Sequence, residues 1–227
     1  MHSRVGDQAE RVIREAIATA RPSCAIEVGL AFGVSTLHIF EAMSAHGAGR
    51  LIGMDPAQHD GTWRGGGLHN IKRAGYADRY EFIEEASQTA LPRLLLRGDR
   101  IQFAFIDGWH TFDHTLVDFF FADQMLDVGG VVVLDDVGYP GLRRLSHFIV
   151  TNRDYEIIAI DNSPPPTPTM RRRAKRLAQT LFRPLVRDNY SPDSTVLELE
   201  KSLTNARLVA LRKRAHDSRR FDHFVAF

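Results

Sequence analysis

Acidic side chains of the kind that bind divalent metals follow two apolar runs between Phe103 and Val137. Asp107 ends the first run, and Asp135 and Asp136 end the second. Both runs have the composition of buried parallel strands, whose carboxyl ends share one edge of an open α/β sheet, where such folds bind ligands. Three carboxylates at this edge would supply the oxygen ligands that a hard cation such as Mg²⁺ prefers.

His110 lies on the loop that leaves the first of these strands, three residues after Asp107. We expect its imidazole to lie close enough to the carboxylates to take a proton from a metal-bound group. A loop histidine bonded to backbone is the alternative, and Asp136 could equally cap the following turn. The helix between the two strands carries three further acids, which are interpreted as its solvated face: Asp113, Asp118 and Asp123.

A nucleotide cradle is predicted near the N-terminus, where a strand runs into an ExGxxxG turn from Glu27 to Gly33 and Ser35 opens a helix. Glycines let backbone approach a ligand, and the helix start offers free N–H groups. NAD is disfavoured because Ala31 occupies the middle glycine position of the dinucleotide motif. Asp55 ends the next strand, where a carboxylate holds ribose in doubly wound folds. A structural turn, with Asp55 as an N-cap, is the alternative.

Strand and helix patterns alternate along residues 4–161, which predicts an α/β fold with a mostly parallel sheet. Gly129-Gly130 is expected to cap the helix before the second acidic strand. The alternation stops at a proline-rich stretch followed by a basic amphipathic helix, and strand character returns at 206–211. We therefore predict one domain over 1–227, with an insertion at 163–203 before the last strand.

Composition limits the classes of protein and partner. The 44% hydrophobic content suits one domain with a sizeable core, and a net charge of +1 argues against a nucleic-acid partner. The single cysteine, Cys24, is expected in the core of a protein in a reducing compartment. Without a signal core or membrane span, a soluble cytoplasmic protein is predicted.

Two segments leave their partners open. The arginines of the 163–203 insertion could meet an anionic acceptor, a membrane surface or nucleic acid, or form a solvated face. The apolar ending 221–227 could dock on the body or form a homodimer. The loop 57–67 carries His59 and Trp63, and it is interpreted as a mobile lid or a solvated loop.

These motifs resemble the class I S-adenosylmethionine-dependent methyltransferases, over about residues 22–161 and the last strand. The resemblance implies a Rossmann-like, doubly wound, seven-stranded and mostly parallel sheet with helices on both faces and an antiparallel last strand. It also implies cofactor contacts from the glycine turn, the ribose acid, the segment beside adenine and the loop after the first acidic strand: Glu27, Gly29, Gly33, Ser35, Asp55, Ala86, Ser87, Asp107 and Trp109.

Within that family, Asp107-Gly-Trp-His110 and Asp135-Asp136 look closer to metal-dependent enzymes that methylate sugar hydroxyls than to catechol-type enzymes, which have a lysine base and Asp-Asn. The implied reaction is Mg²⁺-dependent O-methylation of a saccharide or glycosylated small molecule, with His110 as base. The implied metal ligands are Asp107, Asp135 and Asp136, and the acceptor residues are His59, Trp63 and Tyr139. The alternatives are a catechol-like enzyme and a non-catalytic nucleotide-binding module, which would leave the acids without a role.

Overall fold

Seven strands, with helices between them, are formed by residues 7–161 and 201–227, the parts of the chain that the computed structural model describes. The strands are β1 (Cys24–Val28), β2 (Arg50–Met54), β3 (Tyr80–Ile83), β4 (Ile101–Ile106), β5 (Leu126–Leu134), β6 (Tyr155–Ile160) and β7 (Val209–Lys213). The helices are α1 (Asp7–Ala20), α2 (Val34–Ser44), α3 (Gly66–Arg73), α4 (Ser87–Arg97), α5 (Phe112–Met125) and α6 (Pro140–Asn152).

The strands form one sheet in the order β3-β2-β1-β4-β5-β7-β6. β7 runs antiparallel to both of its neighbours, and the pairs among β1 to β5 are parallel. This confirms the predicted Rossmann-like sheet with an antiparallel last strand. Because β7 is reversed, its first residues lie at the edge where the parallel strands end, with Val209 paired to Leu134. That edge therefore receives side chains from the segment before β7 as well as from the loops after the other strands.

Side chains that alternate along the buried strands pack into two separate hydrophobic cores, one on each face of the sheet. In β1, Cys24, Ile26 and Val28 pack toward α4, α5 and α6, whereas Ala25 packs toward α1, α2 and α3. The predicted core position of Cys24 is confirmed, since its thiol is buried and free. Successive side chains of a strand point to opposite faces of the sheet, and helices cover both faces. Most side chains of the central strands are therefore buried.

Two expectations for the segment around α5 are wrong. The helix ends at Met125 and β5 begins at once, so Gly129-Gly130 lies inside the strand and does not cap the helix. A Cβ on Gly130 would meet two backbone oxygens at 2.9 Å, so close strand packing accounts for this glycine. Asp118 and Asp123 are 1% and 3% exposed and do not belong to a solvated face.

The C-terminal tail lies against α6. Phe227 contacts Phe148 with ring centroids 5.1 Å apart, and Asn152 exchanges two hydrogen bonds with the backbone of Val225. Residues 163–200 of the predicted insertion lie outside the described residues. No helix within 7–161 or 201–227 is long and apolar enough to cross a bilayer.

Candidate active site

The glycine turn after β1 lies directly against the loop after β4. Gly29 has φ +90°, and a Cβ there would come within 2.2 Å of the Asp107 carbonyl oxygen. Gly33 has φ +73°, and it begins α2 without a side-chain cap. Both positions need glycine, because L residues rarely adopt this backbone conformation. The predicted cradle and the first acidic loop are thus in contact.

Asp55 ties the glycine turn to the end of β2. Its Oδ2 accepts hydrogen bonds from the backbone N–H groups of Leu30 at 3.1 Å and Ala31 at 3.0 Å. Its Oδ1 accepts one from the Ala57 N–H at 2.9 Å, and the residue is 7% exposed. Asp55 therefore fixes the shape of the turn itself. The predicted ribose contact would use the lone pairs that remain on this carboxylate.

The loop after β2 is anchored by a buried side chain that the sequence did not single out. Gln58 is fully buried, donates to the Ala31 carbonyl at 3.0 Å and accepts from the Gly67 N–H at 2.9 Å. Trp63 packs edge-on against Phe32 at 5.0 Å between ring centroids. These contacts attach the loop to the glycine turn. The polar, glycine-rich composition of the loop did not indicate that the Gln58 amide would be buried.

Glu27 of β1 joins the strand to the first turn of α2. Its two carboxylate oxygens accept hydrogen bonds from the hydroxyls of Ser35 and Thr36, each at 2.6 Å. Burial raises the pKa of Glu27 to about 7, and the two hydroxyl bonds oppose that rise. Glu27 is inaccessible to solvent here. Its predicted role in cofactor binding would therefore be exerted through the position of Ser35, and it stays a prediction.

His110 lies between two of the predicted metal carboxylates. Its Nε2 is 3.6 Å from Oδ1 of Asp107 and 3.7 Å from Oδ2 of Asp136. The three side chains are between 29% and 38% exposed, so a ligand at the sheet edge can reach them. The loops after β4 and β5 thus bring together the groups that their sequence spacing predicted.

The carboxylates of this group repel one another strongly. Burial raises the pKa of Asp107 well above its ordinary value, and the charges of Asp135 and Asp136 raise it further. Arg207 opposes the rise, and its own pKa is raised by its bond to Asp135. A cation bound among these acids would relieve the repulsion, which is the electrostatic condition for a metal site.

The geometry fits a metal only in part. Asp135 is 2% exposed, and both of its oxygens accept hydrogen bonds from Arg207, Nε to Oδ1 and Nη2 to Oδ2, each 3.0 Å long. Asp107 and Asp136 have accessible carboxylates, whereas Asp135 does not. Among residues 7–161 and 201–227, the only three side chains with potential metal-binding atoms within 4.8 Å of one another are those of Glu10, His38 and Glu41. Arg14 bridges both glutamates there, at 2.8 and 2.9 Å.

Ser87, predicted beside adenine, lies at the first position of α4, near the buried acid Asp118 of α5. Burial raises the pKa of Asp118 to about 6, and the nearby Ser87 hydroxyl acts against the rise. Oδ1 of Asp118 has no hydrogen-bond partner among the described residues. A Cβ on Gly108 would lie 3.4 Å from the other oxygen, so Asp118 lies beneath the loop after β4.

The predicted acceptor residues divide between two parts of the sheet edge. Tyr139 is at the start of α6, with its ring centroid 6.1 Å from that of His110. Trp109, which was predicted to contact the cofactor, is 73% exposed on the loop after β4. His59 lies instead after β2, where its Nδ1 is 2.6 Å from Glu84 at the end of β3. Tyr139 and Trp109 therefore adjoin the acid cluster, and His59 lies on the side of the glycine turn.

The stretch from the glycine turn to the second acidic loop matches a known protein family. Residues 26–137 match the family model described as a methyltransferase domain. A search of curated proteins found no match.

Several solved structures share the fold at low identity. The cofactor-bound Rv0187 protein from MTB has a TM-score of 0.64 at 14% identity, over 94% of this chain and 83% of that one. An O-methyltransferase from Bacillus cereus in complex with SAH has a TM-score of 0.63 at 14% identity, over 94% and 84%. The O-methyltransferase TomG from Streptomyces achromogenes, in complex with SAM, has a TM-score of 0.62 at 15% identity, over 92% and 82%. These structures show that the chain has the fold of known methyltransferases, and residues 26–137 match a methyltransferase domain.

Proposed function

We propose that this protein transfers the methyl group of S-adenosylmethionine to a hydroxyl of a saccharide or glycosylated small molecule, with Mg²⁺ at the acid cluster and His110 as general base. The observation that carries the proposal is the position of His110 Nε2 between Asp107 and Asp136, at 3.6 and 3.7 Å. The Asp107 loop also contacts the glycine turn at Gly29. A base and accessible carboxylates therefore adjoin the predicted cofactor cradle.

The reaction needs a nucleophilic oxygen aligned with the sulfonium methyl group. As the new O–C bond forms and the S–C bond breaks, the hydroxyl proton passes to Nε2 of His110, and S-adenosylhomocysteine leaves. Bound Mg²⁺ would lower the pKa of the acceptor hydroxyl and orient it. Asp107 and Asp136 would hold that ion, and they would also stabilise the imidazolium that forms when His110 takes the proton.

Cofactor contacts are proposed for the glycine turn, Asp55, the Ala86-Ser87 segment and the loop at Asp107 and Trp109. The turn offers backbone N–H groups, and Gly29 and Gly33 leave it free of side chains on the ligand side. Asp55 would accept hydrogen bonds from ribose hydroxyls. A cytoplasmic, reducing location is proposed because the thiol of Cys24 is buried and free.

A catechol-like small-molecule acceptor is the second candidate. The exposed ring of Trp109 and the ring of Tyr139 beside His110 favour it, since flat aromatic acceptors stack on such side chains. Sugar rings also pack on exposed aromatic faces, so the acceptor must be determined by experiment.

Mass spectrometry can test both candidates at once. The protein is incubated with S-adenosylmethionine and separate panels of saccharides, glycosylated small molecules and catechols, with Mg²⁺ or with EDTA. A product heavier by one methylene unit, formed only with Mg²⁺, is the expected result, and the panel in which it appears identifies the acceptor. Methylation of catechols alone would replace the first candidate by the second. Full activity in EDTA would exclude the metal.

A further inference from the structure

Arg207 reaches the acid cluster because β7 runs antiparallel. Leu134, the last residue of β5, pairs with Val209, the first residue of β7. Asp135 follows the one strand and Arg207 precedes the other, so the two side chains are neighbours at the same edge. The Val137 N–H also donates to the Arg207 carbonyl at 3.0 Å, which holds the two segments together.

Both carboxylate oxygens of Asp135 accept hydrogen bonds from within the protein. Arg207 approaches both oxygens in the two-pronged geometry that guanidinium groups form with carboxylates. Oδ1 accepts a further hydrogen bond from the Asp136 N–H at 2.7 Å. With 2% exposure, Asp135 has no open side from which an ion and its waters could approach.

The same carboxylate fixes the backbone of the next residue. Asp136 has φ +54°, a conformation that non-glycine residues rarely adopt and that neighbouring contacts must hold. Its N–H is held by Oδ1 of Asp135, and its own Oδ2 is 3.7 Å from His110 Nε2. The direction of the Asp136 side chain therefore depends on Asp135, and the position of Asp135 depends on Arg207.

We propose that Asp135 and Arg207 form a positioning ion pair, and that the divalent ion is bound by Asp107 and Asp136 without Asp135. This rests on the proposed function, and it changes the ligand set expected from the sequence. Magnesium commonly takes one or two protein carboxylates and completes its octahedron with water and substrate oxygens. Partners outside the ligand shell orient the ligands and are needed for tight binding.

The charges agree with this assignment. Arg207 offsets the charge of Asp135, so Asp107 and Asp136 are the acids that face a cation, and a bound cation would oppose the rise in the pKa of Asp107. Arg207 also stays charged at every physiological pH, since its bond to Asp135 raises its pKa further.

A charge-balanced double variant, D135N/R207Q, separates a positioning pair from a metal ligand. Mn²⁺ serves as the probe, and its binding is measured by electron paramagnetic resonance of the free ion, with D107N and D136N as comparisons. We expect D135N/R207Q to weaken Mn²⁺ binding by about 10- to 100-fold, as the loss of partners outside the ligand shell does. D107N and D136N each remove the charge of a proposed ligand and should each weaken Mn²⁺ binding more than D135N/R207Q does. An equal loss in D135N/R207Q and D136N would overturn the proposal.

Thermal unfolding without metal provides the second measurement. D135N and R207Q each leave one buried charge without its partner, so each single variant should unfold at a lower temperature than D135N/R207Q. A double variant that melts below both singles would refute the ion pair. If the wild-type protein binds no Mn²⁺, the metal in the proposed function and the two-carboxylate site both fail, and the melting temperatures still decide the pair. Unchanged circular dichroism confirms that each variant is folded.

Discussion

Asp55 should matter for the stability of the protein as well as for cofactor binding. The Asp55→Ala change removes three hydrogen bonds from backbone N–H groups to one buried carboxylate. Hydrogen bonds to charged groups contribute about 1.5 kcal/mol each at the lower end, so the free energy of unfolding should fall by about 4.5 kcal/mol. Asp55→Asn keeps one acceptor oxygen, which can still serve Leu30 and Ala31, and should lose less than half of this.

Urea unfolding followed by circular dichroism measures this loss, with Asp60→Ala, an exposed acid in the same loop, as the control. Calorimetry on the folded variants then gives the S-adenosylmethionine affinity, which a lost ribose bond should weaken by about 1.5 to 3 kcal/mol. If Asp55→Ala unfolds at the same urea concentration as Asp60→Ala, Asp55 does not anchor the glycine turn. If the affinity is also unchanged, Asp55 does not contact ribose.

Three further results are expected. His110→Ala should lower turnover by about 10² to 10⁴-fold with little change in cofactor affinity, and the acid limb of the pH–rate profile should disappear. His114, which is nearby and partly exposed, provides the control. An equal loss of turnover in His114→Ala would contradict His110 as a specific base. Chelation with EDTA should abolish turnover, and added Mg²⁺ should restore it; activity that survives dialysis against EDTA rules the metal out. Because burial raises the pKa of Asp118 to about 6, the folded state binds the extra proton between about pH 4 and pH 6, and the contribution of Asp118 to stability should fall by about 3 kcal/mol as the pH rises across that range. Asp118→Asn should lose this contribution and be more stable than the wild type at pH 7, and a difference between the two unfolding free energies that stays constant from pH 4 to pH 6 would refute the buried charge.

The sheet could be predicted from sequence because its strands are buried on both faces. Continuous apolar runs such as 131–134 are typical of strands covered on both sides, and glycine turns and acids mark where they end. Acids that follow neighbouring strands must meet at one edge, so the proximity of His110 to Asp107 and Asp136 followed from topology. Periodicity could not find the ends of α5, since the residues after Met125 suit a strand as well as a helix.

Buried polar side chains were the features that sequence could not predict. Asp118 and Asp123 were assigned to solvent because acids usually lie at the surface, but both are buried, and Asp123 bonds to Arg153 and Tyr155. Gln58 shows the same problem, since one amide in a polar loop has no periodic neighbours. Whether such a side chain is buried depends on hydrogen-bond partners that lie far away in the sequence, and the spacing of residues along the chain does not indicate those partners.

The reversed strand β7 gives the sheet edge a charge that parallel strands alone could not supply. The loops that follow β2, β4 and β5 bring Asp55, Asp107 and Asp135 to this edge, so the ends of these three parallel strands add only negative charge. A residue placed before an antiparallel strand reaches the same edge from the opposite chain direction, and Arg207 is that residue. The segment that leads into β7 therefore contacts Asp135 through the side chain of Arg207. Changes in that segment should alter the position of Asp135, and through it Asp136, without touching the glycine turn.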